Sequence, residues 1–195
     1  MKILLVSDAE SKFIWDYFQP DKFKDIDLMI SCGDMKPQYL SFLVTMIKAP
    51  LYYVHGNHDD IYLKRPPEGC YCIDGKVVKY KGIKILGLGG SIRYKNGIFQ
   101  YTEREMNMRI LKLKPYLYLT GGFDILVTHS PARGLGDGDD YSHQGFKGFN
   151  RLIEKFSPKY HFHGHQHLTY GRQKRVLKYN ETTIINGYEY YILDY

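Results

Sequence analysis

The chain has 195 residues, 44 % hydrophobic and 25 % charged, which suits one globular domain and excludes a disordered or fibrous chain. No apolar run approaches the ~18–20 residues that cross a bilayer, so a membrane-spanning role is excluded. The net charge of +6 favours anionic partners such as phosphates.

In chain order, short β-branched runs alternate with helical patterns, as in an α/β chain. A strand is expected at Lys2–Val6, a helix at Ser11–Phe18, a strand at Leu28–Ser31, a helix at Gln38–Ile47 and a strand at Leu51–Val54. Strands follow at Val77–Tyr80 and Ile83–Leu88, joined by the turn Tyr80-Lys81-Gly82-Ile83. A helix over Glu103–Leu113 starts at the capping box Thr102-Glu103-Arg104-Glu105. Then come a strand at Ile125–Thr128, a helix at Phe146–Phe156 stopped by Pro158, and a strand at Tyr160–His163. Arg175 to Tyr195 is strand-like throughout, and no linker or repeat divides the chain.

Asp8 interrupts the first apolar run too early for a signal peptide. A cytoplasmic chain is expected, with Cys32, Cys70 and Cys72 as reduced thiols. Cys70-Tyr71-Cys72 lacks the second cysteine pair of a zinc site. The basic cluster Arg172-Gln173-Lys174-Arg175 reads as a solvated turn at least as well as an RNA patch. The 19 tyrosines suit half-buried strand faces better than base stacking.

The chemistry gathers where apolar runs end. Asp8 and Glu10 follow the first strand, Cys32-Gly33-Asp34 the second, and His55-Gly56-Asn57-His58-Asp59 the third. His129 follows Ile125–Thr128, and Gly164-His165-Gln166-His167 follows Tyr160–His163. Open α/β sheets bind ligands beyond the carboxyl ends of their strands. Carboxylates, an amide and imidazoles on one rim suit a hard or borderline divalent cation.

These blocks resemble the signature of the calcineurin-like metallophosphoesterase superfamily: Gly33-Asp34, Gly56-Asn57-His58-Asp59, His129 and Gly164-His165-Gln166-His167 match fully. Asp8-Ala9-Glu10 departs from the pattern, with Glu10 where the family has His. The likeness runs from about Met1 to Leu168, and the segments Gly89–Tyr94 and His129–Gly134 resemble small bacterial phosphohydrolases. It implies an α/β fold, a four-layer α/β/β/α sandwich of two mixed sheets flanked by helices. It also implies two divalent ions ~3.5–4 Å apart that activate a bridging hydroxide. On that pattern Asp34 bridges both ions, Asp8 and His167 hold the first with Glu10, and Asn57, His129 and His165 hold the second. His58 takes the place of the catalytic histidine that protonates the leaving oxygen.

The expected activity is hydrolysis of a phosphate mono- or diester, with a small phosphodiester or nucleotide favoured. The rivals are a metal-dependent nuclease and a non-catalytic scaffold of the same fold. A carboxylate at Glu10 would harden the first site toward Mn2+ or Fe2+, with Zn2+ or Ni2+ as softer alternatives. Asp59 is expected to orient His58, whereas His55, His161 and His163 read as packing residues. Arg93 and Arg133 are either phosphate clamps or plain surface arginines. The loop from Gly136 to His143 reads as a lid.

Overall fold

The computed structural model of the chain describes residues 1–168 and 174–195. Arg172 and Gln173 of the basic cluster lie outside the described residues. Strands β1 (Lys2–Ser7), β2 (Ile26–Ser31), β3 (Leu51–Tyr53) and β4 (Tyr71–Cys72) run parallel. The last strand, β13 (Glu189–Asp194), joins antiparallel to β1, giving the order β13-β1-β2-β3-β4. A second sheet contains β5 (Lys76–Tyr80), β6 (Ile83–Leu88), β9 (Ile125–Thr128), β10 (Tyr160–His163), β11 (Val176–Tyr179) and β12 (Thr182–Asn186). Its order is β11-β12-β10-β9-β6-β5, parallel inside, with an antiparallel strand at each edge. A short parallel pair, β7 (Ser91–Ile92) and β8 (Gln100–Tyr101), stands apart.

Strand periodicity sorts the apolar side chains into layers. Ile3 and Leu5 of β1 pack with Leu28 and Ile30 of β2 against Ile85, Ile125, Val127 and Phe162 of the other sheet. The alternate residues Leu4, Val6 and Met29 face Ile14, Tyr39, Leu40 and Leu43 on helices α1 (Lys12–Trp15) and α3 (Pro37–Met46). Leu86, Leu88 and Leu126 face Met106 and Ile110 of α4 (Glu103–Thr120) and Phe149 and Leu152 of α5 (Lys147–Phe156). Helix, sheet, sheet and helix therefore stack as four layers around three cores.

Two helices depart from their expected bounds. The helix expected over Ser11–Phe18 stops at Trp15, and a second turn, α2 (Pro20–Phe23), follows. Pro20 disfavours helical backbone at Gln19, which is extended (φ −118°, ψ 101°). Conversely, α4 runs past its expected end, with Pro115 in its interior, to Gly121 at φ 72°. Fully buried Leu117 draws that last stretch onto the core, which offsets the hydrogen bond lost at the proline. The capping box forms as expected: Thr102 Oγ1 accepts from the Glu105 amide (3.2 Å) and Glu105 accepts from the Thr102 amide (2.7 Å). The turn at Lys81 (φ 46°) and Gly82 (φ 88°) has both central residues left-handed, matching the twist of β5 and β6. All three cysteines are free, and no helix among the described residues is long and apolar enough to cross a membrane.

Candidate metal centre

Chain turns beyond β1, β2, β3, β9 and β10 bring their side chains to one rim. Three of these residues, Asp8 (φ 66°), Asp34 (φ 56°) and His165 (φ 65°), have left-handed backbone. Asp and His tolerate that region better than most residues, and the reversal turns their side chains off the strand axis. The glycines beside them are steric requirements. A Cβ on Gly33 would lie 2.3 Å from the Gly56 amide nitrogen, and one on Gly56 would lie 2.0 Å from Asp34 Oδ1. A Cβ on Gly164 would lie 1.9 Å from Ser7 Oγ and 2.5 Å from Asp8 Oδ2. The repeated pairing of glycine with a polar residue thus records turns packed backbone to backbone.

On one side of the rim, Asp34, His129 and His165 place one potential donor atom each within 4.8 Å of one another. Asn57 joins them, its Oδ1 2.9 Å from His129 Nε2, which lies 3.4 Å from Asp34 Oδ2. Each imidazole is keyed by a carbonyl. His129 Nδ1 lies 2.8 Å from the Cys32 oxygen and His165 Nε2 lies 2.8 Å from the Ser142 oxygen. A ring that donates through one nitrogen reserves the other for a metal ion, which at His129 would take the place of the Nε2 proton, the arrangement that orients metal-binding histidines. The donor chemistry therefore fits a divalent cation: a carboxylate, an amide oxygen and two imidazole nitrogens.

The electrostatics express the same demand for positive charge. Burial alone would raise Asp34, but His129 beside it and the His58 amide hold its carboxyl at about 2. Burial would lower His129, yet Asp34 and then Asp8 outweigh it and push the imidazole up to about 9. A proton on His129 thus supplies the charge that the carboxylates demand. His165 goes the other way, to about 3, through burial and the neighbouring His129.

The other side of the rim is sparser. Buried Asp8 accepts from the His165 amide through both oxygens (2.9 and 3.1 Å), and burial raises its carboxyl. His167 Nε2 lies 3.9 Å from Asp8 Oδ1 on a side chain 57 % exposed, its ring tilted 34° against that of Tyr188. Glu10 borders a cavity with Asp8, Asp34 and His58 but makes no contact with the other ligands. Its carboxylate turns to Lys36, 3.3 Å from the amide and 3.5 Å from Nζ, because the lysine offers it both a charge and a backbone donor. Nor does Glu10 cap α1, whose N-cap Ser11 has no side-chain cap bond.

His58 is exposed at the edge of the ligand group, its amide donating to Asp34 Oδ1 (2.8 Å). Asp59, expected to orient that ring, holds backbone instead: Oδ2 accepts from the amides of Gly56 (2.7 Å) and Asp34 (2.9 Å). Burial, then the Asp34 charge, pushes Asp59 up to about 7. It clamps the two ligand turns together.

Neither arginine faces the rim. Arg93 is held by Glu105 (2.9 Å) and the Gln100 carbonyl, and Arg133 by Gln144 Oε1 (2.6 Å). Both find local acceptors, so the phosphate-clamp alternative has no support in their contacts. The cavity over the ligands, about 180 Å3, is walled instead by Tyr94, Ser142 and His143. Tyr94 escaped notice in the sequence although it adjoins Arg93; its hydroxyl accepts from Asn57 Nδ2 (3.1 Å). The loop from Gly136 to His143 does border the site, with Asp137 bound to the amides of Gly134 and Gly145. His55 pairs with Asp74 (3.0 Å), His161 with Thr128 (2.9 Å) and His163 with the Gly164 carbonyl (2.9 Å), all as packing residues. A larger cavity of about 720 Å3, between α4 and α5, has no histidine or aspartate in its lining. Size does not mark the chemistry.

The calcineurin-like phosphoesterase family model matches residues 1–168, and the chain belongs to that family. No curated protein sequence matches it. Among solved structures, a protein from Thermus thermophilus superposes with a TM-score of 0.63 at 15 % identity, over 96 % of this chain and 89 % of that one. The anchor protein of the inner membrane complex of Plasmodium superposes at 0.56 and 14 % identity, over 95 % of this chain and 70 % of that one. A 5′-nucleotidase from Candida albicans gives 0.56 at 12 % identity, over 95 % of this chain and 44 % of that one. An anchor and a nucleotidase thus share the fold, so function has to be argued from side chains.

Proposed function

We propose that the chain is a dinuclear metal-dependent phosphoesterase that hydrolyses a phosphate mono- or diester, with a small phosphodiester or nucleotide favoured. The observation that carries this reading is the buried set Asp34, His129 and His165, each imidazole keyed by a carbonyl. Asp34 would be shared between two cations, with Asn57, His129 and His165 holding one and Asp8 and His167 the other. When bound, the cations supply Lewis acidity and an activated water. Asp59 fixes the spacing of the two central turns, and Tyr94 holds the Asn57 amide so that its oxygen faces His129. His58, exposed at the ligand edge, gives the proton that an alkoxide leaving group needs.

The cavity of about 180 Å3 has room for a phosphoryl group with a small substituent, and a second of about 320 Å3 adjoins it at Asp8, Asp34 and His58; affinity for long oligonucleotides would favour the nuclease instead. A scaffold has no use for the exposed His58 side chain that lines the cavity with Asp34. With Glu10 on Lys36, the preference for Mn2+ or Fe2+ loses its ground, and two imidazoles suit Zn2+ and Ni2+ equally. The test is elemental analysis of purified protein, then a screen of aryl monoesters, aryl diesters and cyclic nucleotides with several metals. Turnover that vanishes on chelation and returns with metal is expected. Full activity in rigorously metal-free protein overturns the reading.

A further inference from the structure

We propose that His143, held by Asp140, is a second substrate-contacting imidazole whose Nε2 shares a hydrogen bond with a phosphoryl oxygen; this rests on the phosphoesterase reading and extends it. His143 ends a short 3-10 turn, Tyr141–His143, and lines the same cavity as Asp34 and His58. Its Nδ1 lies 2.9 and 2.8 Å from the two Asp140 oxygens, and its amide donates to Oδ1 at 3.1 Å. Ser142 Oγ donates to the same carboxylate at 2.6 Å. That hydroxyl first, and His143 next, hold Asp140 down at about 2, so it is an ionised acceptor. Nδ1 then carries a hydrogen, and Nε2 is the ring atom left to meet a ligand. This is the histidine–carboxylate pairing that orients an imidazole for work on a substrate.

The turn is fastened to the ligand group. The Ser142 carbonyl receives His165 Nε2 (2.8 Å), and the His143 carbonyl receives both Gln166 Nε2 (2.7 Å) and the Gly138 amide (3.0 Å). The His143 ring lies 5.1 Å from that of His165, whereas His58 is bound to Asp34. One imidazole therefore serves each end of the ligand set. A bound phosphate monoester has three non-bridging oxygens; two cations would engage two of them and His58 faces the leaving oxygen, which leaves the third for His143.

The test compares wild type with His143→Gln and Asp140→Asn after loading each with Mn2+. Orthophosphate affinity is read by calorimetry, KM and kcat on an aryl phosphate by kinetics, and metal content by elemental analysis. His143→Gln is expected to weaken orthophosphate about tenfold, the usual scale of one charge-assisted hydrogen bond, with metal content unchanged. Asp140→Asn should lose a smaller part of the same affinity. Orthophosphate binding and KM equal to wild type in His143→Gln overturn the proposal while leaving the phosphoesterase reading intact. Loss of metal in His143→Gln overturns it too, since the residue then only supports His165. If no ester is turned over yet orthophosphate binds through His143, the contact stands and the hydrolase reading falls.

Discussion

The two sides of the rim are built to different standards. Asn57, His129 and His165 are buried, and both rings are oriented by carbonyls. Opposite them, His167 is exposed, Glu10 is bound to Lys36, and Asp8 is already engaged by a backbone amide. Preorganisation costs stability at folding rather than at binding, so the buried side should hold its ion tightly and the open side loosely. The contrast teaches that two positions on one rim need not be equivalent: on the proposed reading one ion would be a fixture of the fold and the other exchangeable.

The largest effect is expected at the residue common to both sides. Asp34→Asn should empty both positions and take hydrolysis below detection, read by elemental analysis and aryl-ester assay; retention of either ion contradicts the sharing. Next, His58→Ala should keep both ions and lower turnover by ~10²–10⁴-fold. That loss should shrink on a nitrophenyl ester, whose leaving group needs no proton; an equal loss on poor and good leaving groups would make His58 a positioning residue.

The sides can then be set against each other. His129→Ala should lose the tight ion outright, whereas His167→Ala should leave one ion per chain bound, a difference that titration calorimetry resolves. Equal losses would break the contrast. Behind the buried side, Asp74 holds His55 Nδ1 (3.0 Å), the Gly89 amide (2.7 Å) and Arg109 (2.5 Å). Burial works against its charge, but His55 and Arg109 prevail and its carboxyl is lowered. A folded-state pKa below the unfolded one adds stability above about pH 4, lost as acid protonates the group. Asp74→Ala should therefore cost about 3–5 kcal/mol at neutral pH, narrowing as the pH falls, in denaturant melts of metal-free protein. The smallest effect is expected on the open side: Glu10→Gln breaks only a surface pair, changes stability by about 1 kcal/mol or less and leaves metal stoichiometry alone.

Much of this was legible from the residues. The unbroken apolar runs Leu4-Leu5-Val6 and Ile125-Leu126-Val127 suit strands buried on both faces, and the structure divides them between adjacent cores. The polar residue after each run marked the rim, because strand ends are where side chains leave the sheet. Side-chain partners were not legible. Nothing local says that Arg93 will find Glu105, twelve residues on, or that Glu10 will find Lys36, since long polar side chains choose among acceptors set by tertiary packing. Asp59 looked like the partner of its neighbour His58, yet its amides come from Gly56 and Asp34. His143 was hidden because an acidic glycine-rich loop reads as mobile until its hydrogen bonds are seen.

Where Gly33 meets Gly56, the second and third turns interlock with no room for a single methyl group. Neither can be moved without the other, so the metal-binding floor can change only as a unit. The walls are tied to that floor by hydrogen bonds rather than by interlocked backbone: Tyr94, Ser142 and His143 come from segments outside the contact of the two glycines. Divergence toward new esters would thus be channelled into those three positions. A library confined to them should yield altered substrate preference with metal content intact, whereas one aimed at the glycines should yield mostly unfolded chains.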